Sequence, residues 1–259
     1  MSLLKKIPEP VQKFFDELHP DTAKLYGNYW DSITPQENTA YFRRWLFAYL
    51  SVHTTWKSNV LGYLELRNCH CWLGKADLEQ ALQKSRTGRY RTLPKFLLNF
   101  HNLFWEDPER FKPGSSRPYV RKQLDGLGLA KTAFALEMLQ PRQEQVVCMD
   151  THMLRLFGLN TDSKERNIMK AEEAWIEMSL DKGIPPFITR NIFWDKKQNK
   201  PSCRFWSFVF EWENTIVALL PRLLSEGNQF APAFDAPLEE LEQVRAHLPK
   251  QALTFIETN

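Results

Sequence analysis

LDGLGLAKTAFALEML, Leu124 to Leu139, is followed after a short gap by VVCMDTHMLRLFGL, Val146 to Leu159. Two glycines flank a leucine, an apolar run resumes at once, and a lysine stands near its start. Gly126 and Gly128 can take positive φ and let backbone approach a ligand. VRKQL before them and LAKTAFALEML after them have helical composition, so the stretch reads as a helix, a glycine hairpin and a second helix. The N–H groups of the hairpin and of the second helix's first turn lack intrahelical acceptors, which makes a seat for a phosphate. Helical proteins often turn through glycines, so the hairpin decides the local fold and leaves the function open.

Outward from the hairpin the chain keeps a helical period. TAYFRRWLFAYLSV, Thr39 to Val52, puts Phe42, Trp45, Leu46, Tyr49 and Leu50 on one stripe, and LPKFLLNFHNLF, Leu93 to Phe104, does the same with Leu93, Phe96, Leu97, Phe100 and Phe104. Both stripes read as core. EQVVCM, Glu144 to Met149, is the best strand candidate, yet it is short and apolar enough to be a buried connection. Breakers fall at Pro20, at Pro35, between Glu106 and Pro118, between Asp181 and Phe187, and between Asp195 and Ser202. No internal repeat is visible, and the tail after Gly227 turns Pro-rich and then acidic, as a surface appendage would. An all-α fold of about ten helices is predicted.

With 259 residues, 43% hydrophobic and 13% aromatic, the chain is long enough to bury a sizeable core in one domain or two packed ones. A formal charge of +3 suits a polyanionic partner only if the basic residues cluster. Cys69, Cys71, Cys148 and Cys203 make no spaced framework, and no secretory leader opens the chain, so reduced thiols in an intracellular compartment are expected. Cys69-His70-Cys71 lacks a second pair to complete four zinc ligands. No apolar run approaches the length of a membrane span.

The combination is more specific than its parts. Gly126-Leu127-Gly128, then Lys131-Thr132-Ala133, then Val146 through Asp150-Thr151-His152 to Arg155, resemble the signature of the helix-hairpin-helix DNA glycosylase superfamily, which includes endonuclease III and 8-oxoguanine glycosylases. In that family a G-h-G hairpin, a K-x-A helix start and a V-D-x-H-x-x-R segment recur in this order. Upstream, AYLSVHTTWKSN (Ala48 to Asn59) is similar to the family's helix end and duplex-probing loop, and GRYRTLPKFLLNF (Gly88 to Phe100) to its G-x-Y-x-x-K/R-A helix start. The resemblance covers the chain from about Ala40 to Leu159. Two features depart from the pattern. Leu129 and Ala130 both stand between the second glycine and the lysine, where the family has one residue, and Asp125 replaces the family's proline. If the extra residue belongs to the hairpin, Lys131 takes the nucleophile position; if it lies beyond, Thr132 falls there and the amine is lost. The chain also lacks the four-cysteine tail that holds an iron–sulfur cluster in some members, and Met1 to Thr39 is unsuited to an added β-domain.

The resemblance implies an all-α protein of two helical lobes, residues 39–133 and residues 1–38 plus 134–259, with the hairpin at a DNA-facing cleft. It implies excision of a damaged or modified base flipped out of a duplex. Asp150 would stabilise the oxocarbenium-like sugar and Lys131 would form a Schiff base, giving AP lyase activity. The commonplace roles are a solvated lysine and a helix N-cap, and the second is compatible with catalysis. Gly126, Leu127, Gly128, Arg121, Lys122 and Arg155 would hold DNA, and His53 or Thr54 would fill the gap in the stack. Phe208 and Trp212, four apart in an aromatic-rich stretch, would clamp the base. Two alternatives stay open: a monofunctional glycosylase using water, and a non-catalytic helix-hairpin-helix DNA-binding module. No cofactor is expected beyond an optional monovalent cation at the hairpin. The implied partner is double-stranded DNA containing a lesion or modified base, met by a monomer in the cytoplasm, on the nucleoid, or in the nucleus. An oxidised purine and an unusual base of foreign DNA are both open as substrates.

Overall fold

The computed structural model describes residues 7–52, 56–67, 74–143, 145–197 and 210. The chain divides into two compact units, Met1–Asn199 and Lys200–Asn259, and the described residues other than Phe210 lie in the first. Among them there is no strand, as the all-α reading expects. The helices are α1 (Glu9–Asp16), α2 (Pro20–Ser32), α3 (Asn38–Leu50), α4 (Trp56–Leu66), α5 (Lys75–Lys84), α6 (Leu93–Glu106), α7 (Arg117–Gln123), α8 (Leu129–Leu139), α9 (Thr151–Leu156), α10 (Glu165–Asp181) and α11 (Pro186–Lys197). A 3-10 turn, Pro108–Phe111, lies between α6 and α7.

Helix starts follow local chemistry. Pro20 opens α2, where a missing N–H costs nothing, and His19 Nδ1 accepts from Asp21 N at 3.2 Å. Ser116 Oγ accepts from Tyr119 N at 3.3 Å to cap α7, whose first turn holds Pro118. The breaker stretches fall where helices end: Glu106 to Pro118 carries the 3-10 turn, and Asp181 to Phe187 separates α10 from α11.

The core has two aromatic centres. In the first, α3 is buried almost all round: Phe47 and Ala48 are as inaccessible as the predicted stripe of Phe42, Trp45, Leu46, Tyr49 and Leu50. A helix hydrophobic on every side is a central one, and α3 packs against α4, α6 and α8. Phe42 stacks on Phe100 at 5.1 Å, Phe104 and Phe111 stack at 5.9 Å, and Trp45 Nε1 donates to the Phe111 carbonyl at 2.8 Å. In the second centre, Phe14 and Phe15 of α1 meet Trp175 of α10 at 5.2 and 4.8 Å, and Trp30 of α2 meets Phe187 of α11 at 4.6 Å.

Between α8 and α9 falls the strand candidate Glu144 to Met149, of which Val146–Met149 is buried throughout. Among the described residues it has no sheet to join, so its N–H groups need other acceptors. Two buried glutamates supply them: Val147 N donates to Glu172 Oε1 at 2.6 Å and Cys148 N to Glu137 Oε1 at 2.8 Å. Each carboxylate is paired in turn. Arg117 Nη1 of α7 reaches both Glu172 oxygens at 2.6 and 2.8 Å. Arg190 of α11 reaches Glu137 through Nη2 at 2.9 Å and Nε at 3.4 Å. Burial pushes Glu137 up to about 7, against the pull of Arg190 and the Cys148 N–H. Burial also acts to lower Arg190, yet the charges of Glu137, Cys148 and Asp150 leave it above its ordinary value. The geometry favours the ionised pair, because three donors converge on the two Glu137 oxygens and a protonated carboxyl would oppose one of them.

Breaking such a pair from one side leaves a buried charge without its partner. Glu137→Ala or Arg190→Ala should each lower unfolding free energy by about 3–5 kcal/mol. The double variant Glu137→Met/Arg190→Met should recover most of that but stay about 1–3 kcal/mol below the parent, because the Cys148 N–H still lacks an acceptor. Urea unfolding of the three variants measures this; additive losses in the double variant would show that the pair does not act as a unit.

Candidate functional site

The hairpin begins where α7 gives out at Gln123. Leu124 is extended, Gly126 has φ +85, and Gly128, extended again, stands as N-cap of α8. Buried Leu124 and Leu127 anchor the turn from inside. Tyr49 Oη of α3 donates to the Asp125 carbonyl at 3.0 Å, and burial, with the Asp125 charge, holds that phenol far above its ordinary range so that it remains a donor. The two glycines have different reasons. A Cβ on Gly126 would meet the Phe96 ring at 2.5 Å, whereas a Cβ on Gly128 would meet nothing within 4 Å.

No side chain caps α8, and the N–H groups of Gly128, Leu129 and Ala130 find no acceptor among the described residues. They are open donors at the positive end of a helix dipole. Thr132, one of the two residues the register left open, is fully buried, with its hydroxyl on the Gly128 carbonyl at 3.0 Å. Lys131 is half-buried, and its Nζ lies 5.4 Å from the Phe134 ring centre. Of the two, only the lysine has access to solvent.

Asp150 ends the buried segment and caps α9: its Oδ1 accepts from His152 N at 2.8 Å and Met153 N at 3.0 Å. Both bonds use one oxygen, and Oδ2 has no bond among the described residues. Cys148 joins the two candidates. Burial drives its thiol far up, the negative charges of Glu137 and Asp150 add to that, and the positive charges of Arg190 and Lys131 oppose it. A thiol so placed is inert as a nucleophile. The charges of both Lys131 and Asp150 thus act on this thiol, and Lys131 stands in the first turn of the helix that the hairpin opens.

The other sequence candidates scatter. Arg121 is gripped bidentately by Glu165 at 2.7 and 3.0 Å, a hydrogen-bonded pair that lifts Arg121 and lowers Glu165. Lys122 and Arg155 are exposed and make no ion pair among the described residues. His53, Thr54, Phe208 and Trp212 lie outside the described residues, as do Cys69, His70 and Cys71. No cluster of His, Cys, Asp or Glu among the described residues could hold a metal ion, and no helix among them is long and apolar enough to cross a membrane. The sequence reading missed Glu137, Glu172, Arg117 and Arg190. The signal was present for Glu137 alone, an ionisable residue inside the otherwise apolar AFALEML.

Gly126→Ala combines a left-handed φ with a clash into Phe96 and should cost about 2–5 kcal/mol of stability. Gly128→Ala should stay within about 0.5 kcal/mol of the parent. Chemical denaturation of the two variants side by side measures the difference, and equal losses would show that the hairpin does not need the glycines for separate reasons.

No protein-family model matches the chain, and no curated protein does. Solved structures do. The 8-oxoguanine DNA glycosylase of Thermotoga maritima superposes with a TM-score of 0.59 at 14% identity, over 74% of this chain and 96% of that one. The 8-oxoguanine DNA glycosylase of Methanocaldococcus jannaschii gives 0.57 at 14% identity, over 73% and 94%. The M. jannaschii 8-oxoguanine glycosylase/lyase in complex with a 15mer DNA containing 8-oxoguanine gives 0.59 at 14%, over 74% and 97%. At this identity the likeness is one of fold, and the fold is that of the 8-oxoguanine DNA glycosylases.

Proposed function

We propose that the chain is a DNA glycosylase with AP lyase activity that removes a damaged base from duplex DNA. What supports this reading is that the charges of both Lys131 and Asp150 act on Cys148, with Lys131 in the first turn of the helix that follows a hairpin whose N–H groups are open. A phosphate-binding module needs the hairpin but neither the amine nor the carboxylate. An oxidised purine is the lesion to try first, because the solved proteins of this fold are 8-oxoguanine glycosylases and one of them is held on DNA containing that base.

The chemistry follows from the groups. Hairpin N–H groups hold a backbone phosphate and so fix the strand beside the lesion. As the N-glycosidic bond lengthens, positive charge grows on the sugar, and the Asp150 carboxylate stabilises it. Lys131, in its neutral form, adds to C1′ while the base departs with the bonding electron pair and takes up a proton. The sugar ring then opens to an iminium on Nζ. Loss of a C2′ proton expels the 3′ phosphate by β-elimination and cuts the strand. Capping α9 through Oδ1 keeps Asp150 in one orientation without neutralising it.

Incubation with an 8-oxoguanine duplex and sodium borohydride should trap a covalent adduct, and Lys131→Gln should abolish it. Trapping by Lys131→Gln at the parental level would remove the lysine from the nucleophile role and favour attack by water. Asp150→Asn should reduce base release about 100-fold or more while leaving duplex affinity nearly unchanged, because the loss falls on the transition state. Absence of base release from any duplex in a broad lesion panel would sink the enzymatic reading altogether.

A further inference from the structure

From Gln80 to Trp105 the sequence has no aspartate or glutamate and carries Lys84, Arg86, Arg89, Arg91 and Lys95. Lys84 is held by Glu65 at 2.9 Å. The remaining four make no ion pair among the described residues. By contrast, Arg110, Arg117, Arg121, Arg142 and Arg190 each sit on a carboxylate. Four unpaired cations in ten residues form a concentrated positive surface on a chain whose net charge is only +3.

The loop that bears them is built. Arg86 and Arg89 both take left-handed φ, +55 and +61, which side-chain-bearing residues seldom adopt. Between them, buried Thr87 donates to the Ser58 carbonyl at 3.3 Å and shares a hydrogen bond with Ser85 Oγ at 2.9 Å. Gly62 of α4 makes room for it, since a Cβ there would come within 2.4 Å of the Thr87 hydroxyl. The Arg89 carbonyl accepts from Thr92 N and Leu93 N, both at 2.9 Å, and so fixes the start of α6. Glycine would satisfy both left-handed positions without strain, so arginine there points to a use for the side chain.

The loop also adjoins the hairpin. The Arg89 guanidinium carbon lies 5.8 Å from the centre of the Phe96 ring, and the same ring packs against Gly126. The arginine-bearing loop and the hairpin therefore share one phenylalanine. A polymer of phosphates offers a group to each.

We propose that Arg86, Arg89, Arg91 and Lys95 form a second backbone-binding surface that takes phosphates of duplex DNA next to the one at the hairpin. The choice of DNA rests on the glycosylase reading. Cationic side chains that touch only phosphates position the duplex and raise affinity without reading its sequence.

The test is the salt dependence of binding to a fluorescein-labelled duplex carrying a tetrahydrofuran abasic analogue. The parent is compared with Arg86→Gln/Arg89→Gln/Arg91→Gln and with Lys24→Gln/Lys75→Gln/Arg166→Gln, which removes the same charge elsewhere. The loop variant should show a slope of log K against log salt shallower by about 0.9 for each phosphate it no longer neutralises, about 2.7 for three. The control should keep the parental slope. Arg86→Gly/Arg89→Gly guards against misfolding, since glycine relieves both left-handed positions; it should melt no lower than the parent yet bind with a shallower slope. Loop and control variants with equal slopes would overturn the proposal. So would a loop effect confined to single-stranded RNA or to phosphatidylserine vesicles. Its failure is separable from that of the glycosylase reading. A parent that releases base while the loop variants bind like the control keeps the enzyme and loses the surface. A parent inert on every lesion, whose loop variants lose salt-dependent duplex binding, does the reverse.

Discussion

The structure turns on two backbone N–H groups that have nowhere ordinary to go. Val147 and Cys148 lie in a buried, non-helical segment with no neighbouring strand among the described residues, and an orphaned buried donor is costly. Glu172 and Glu137 accept from them, and burying those carboxylates then requires Arg117 and Arg190. One local need thus ties together α7, α8, α10 and α11. The segment leads directly into Asp150, so the rigidity of these pairs is transmitted to the carboxylate that caps α9.

Much of the fold was legible because helices announce themselves through short-range pattern. The apolar stripes of α3 and α6, the prolines at helix starts, and the glycine turn before α8 all act within a few residues, and each sits where the pattern put it. The cap at Asp150 was equally local. What escaped depended on distance along the chain. Glu137 meets Arg190 across 53 positions and Arg117 meets Glu172 across 55, and no local period encodes such partners. The burial of Phe47 beyond the predicted stripe escaped for the same reason, since its ring meets Phe134 of α8, far along the chain. Arg121 illustrates the converse: its residue type and position next to the hairpin suggested a free cation, whereas Glu165, 44 residues away, claims it.

The basic residues consequently divide by what faces them. Those with carboxylate partners are part of how the helices are held together, and a formal charge count cannot tell them from the rest. The cations at the loop before α6 lack such partners among the described residues, and the backbone that carries two of them is strained. A net charge of +3 therefore conceals a strongly uneven distribution. For a chain of this composition the pairing pattern says more about a polyanionic partner than the total does.

The two hairpin glycines, separated by one leucine, answer to different authorities. Gly126 is dictated from within, by Phe96 and by a left-handed backbone, so natural selection for folding alone would keep it. Gly128 faces open space and is owed nothing by the interior. Its retention would depend on whatever approaches the mouth of the hairpin from outside. In a lineage that gave up its ligand but kept its fold, the first glycine would persist and the second would drift. A change at Gly128 beside an unchanged Gly126 would then be the mark of a lost activity, left in a protein that still folds.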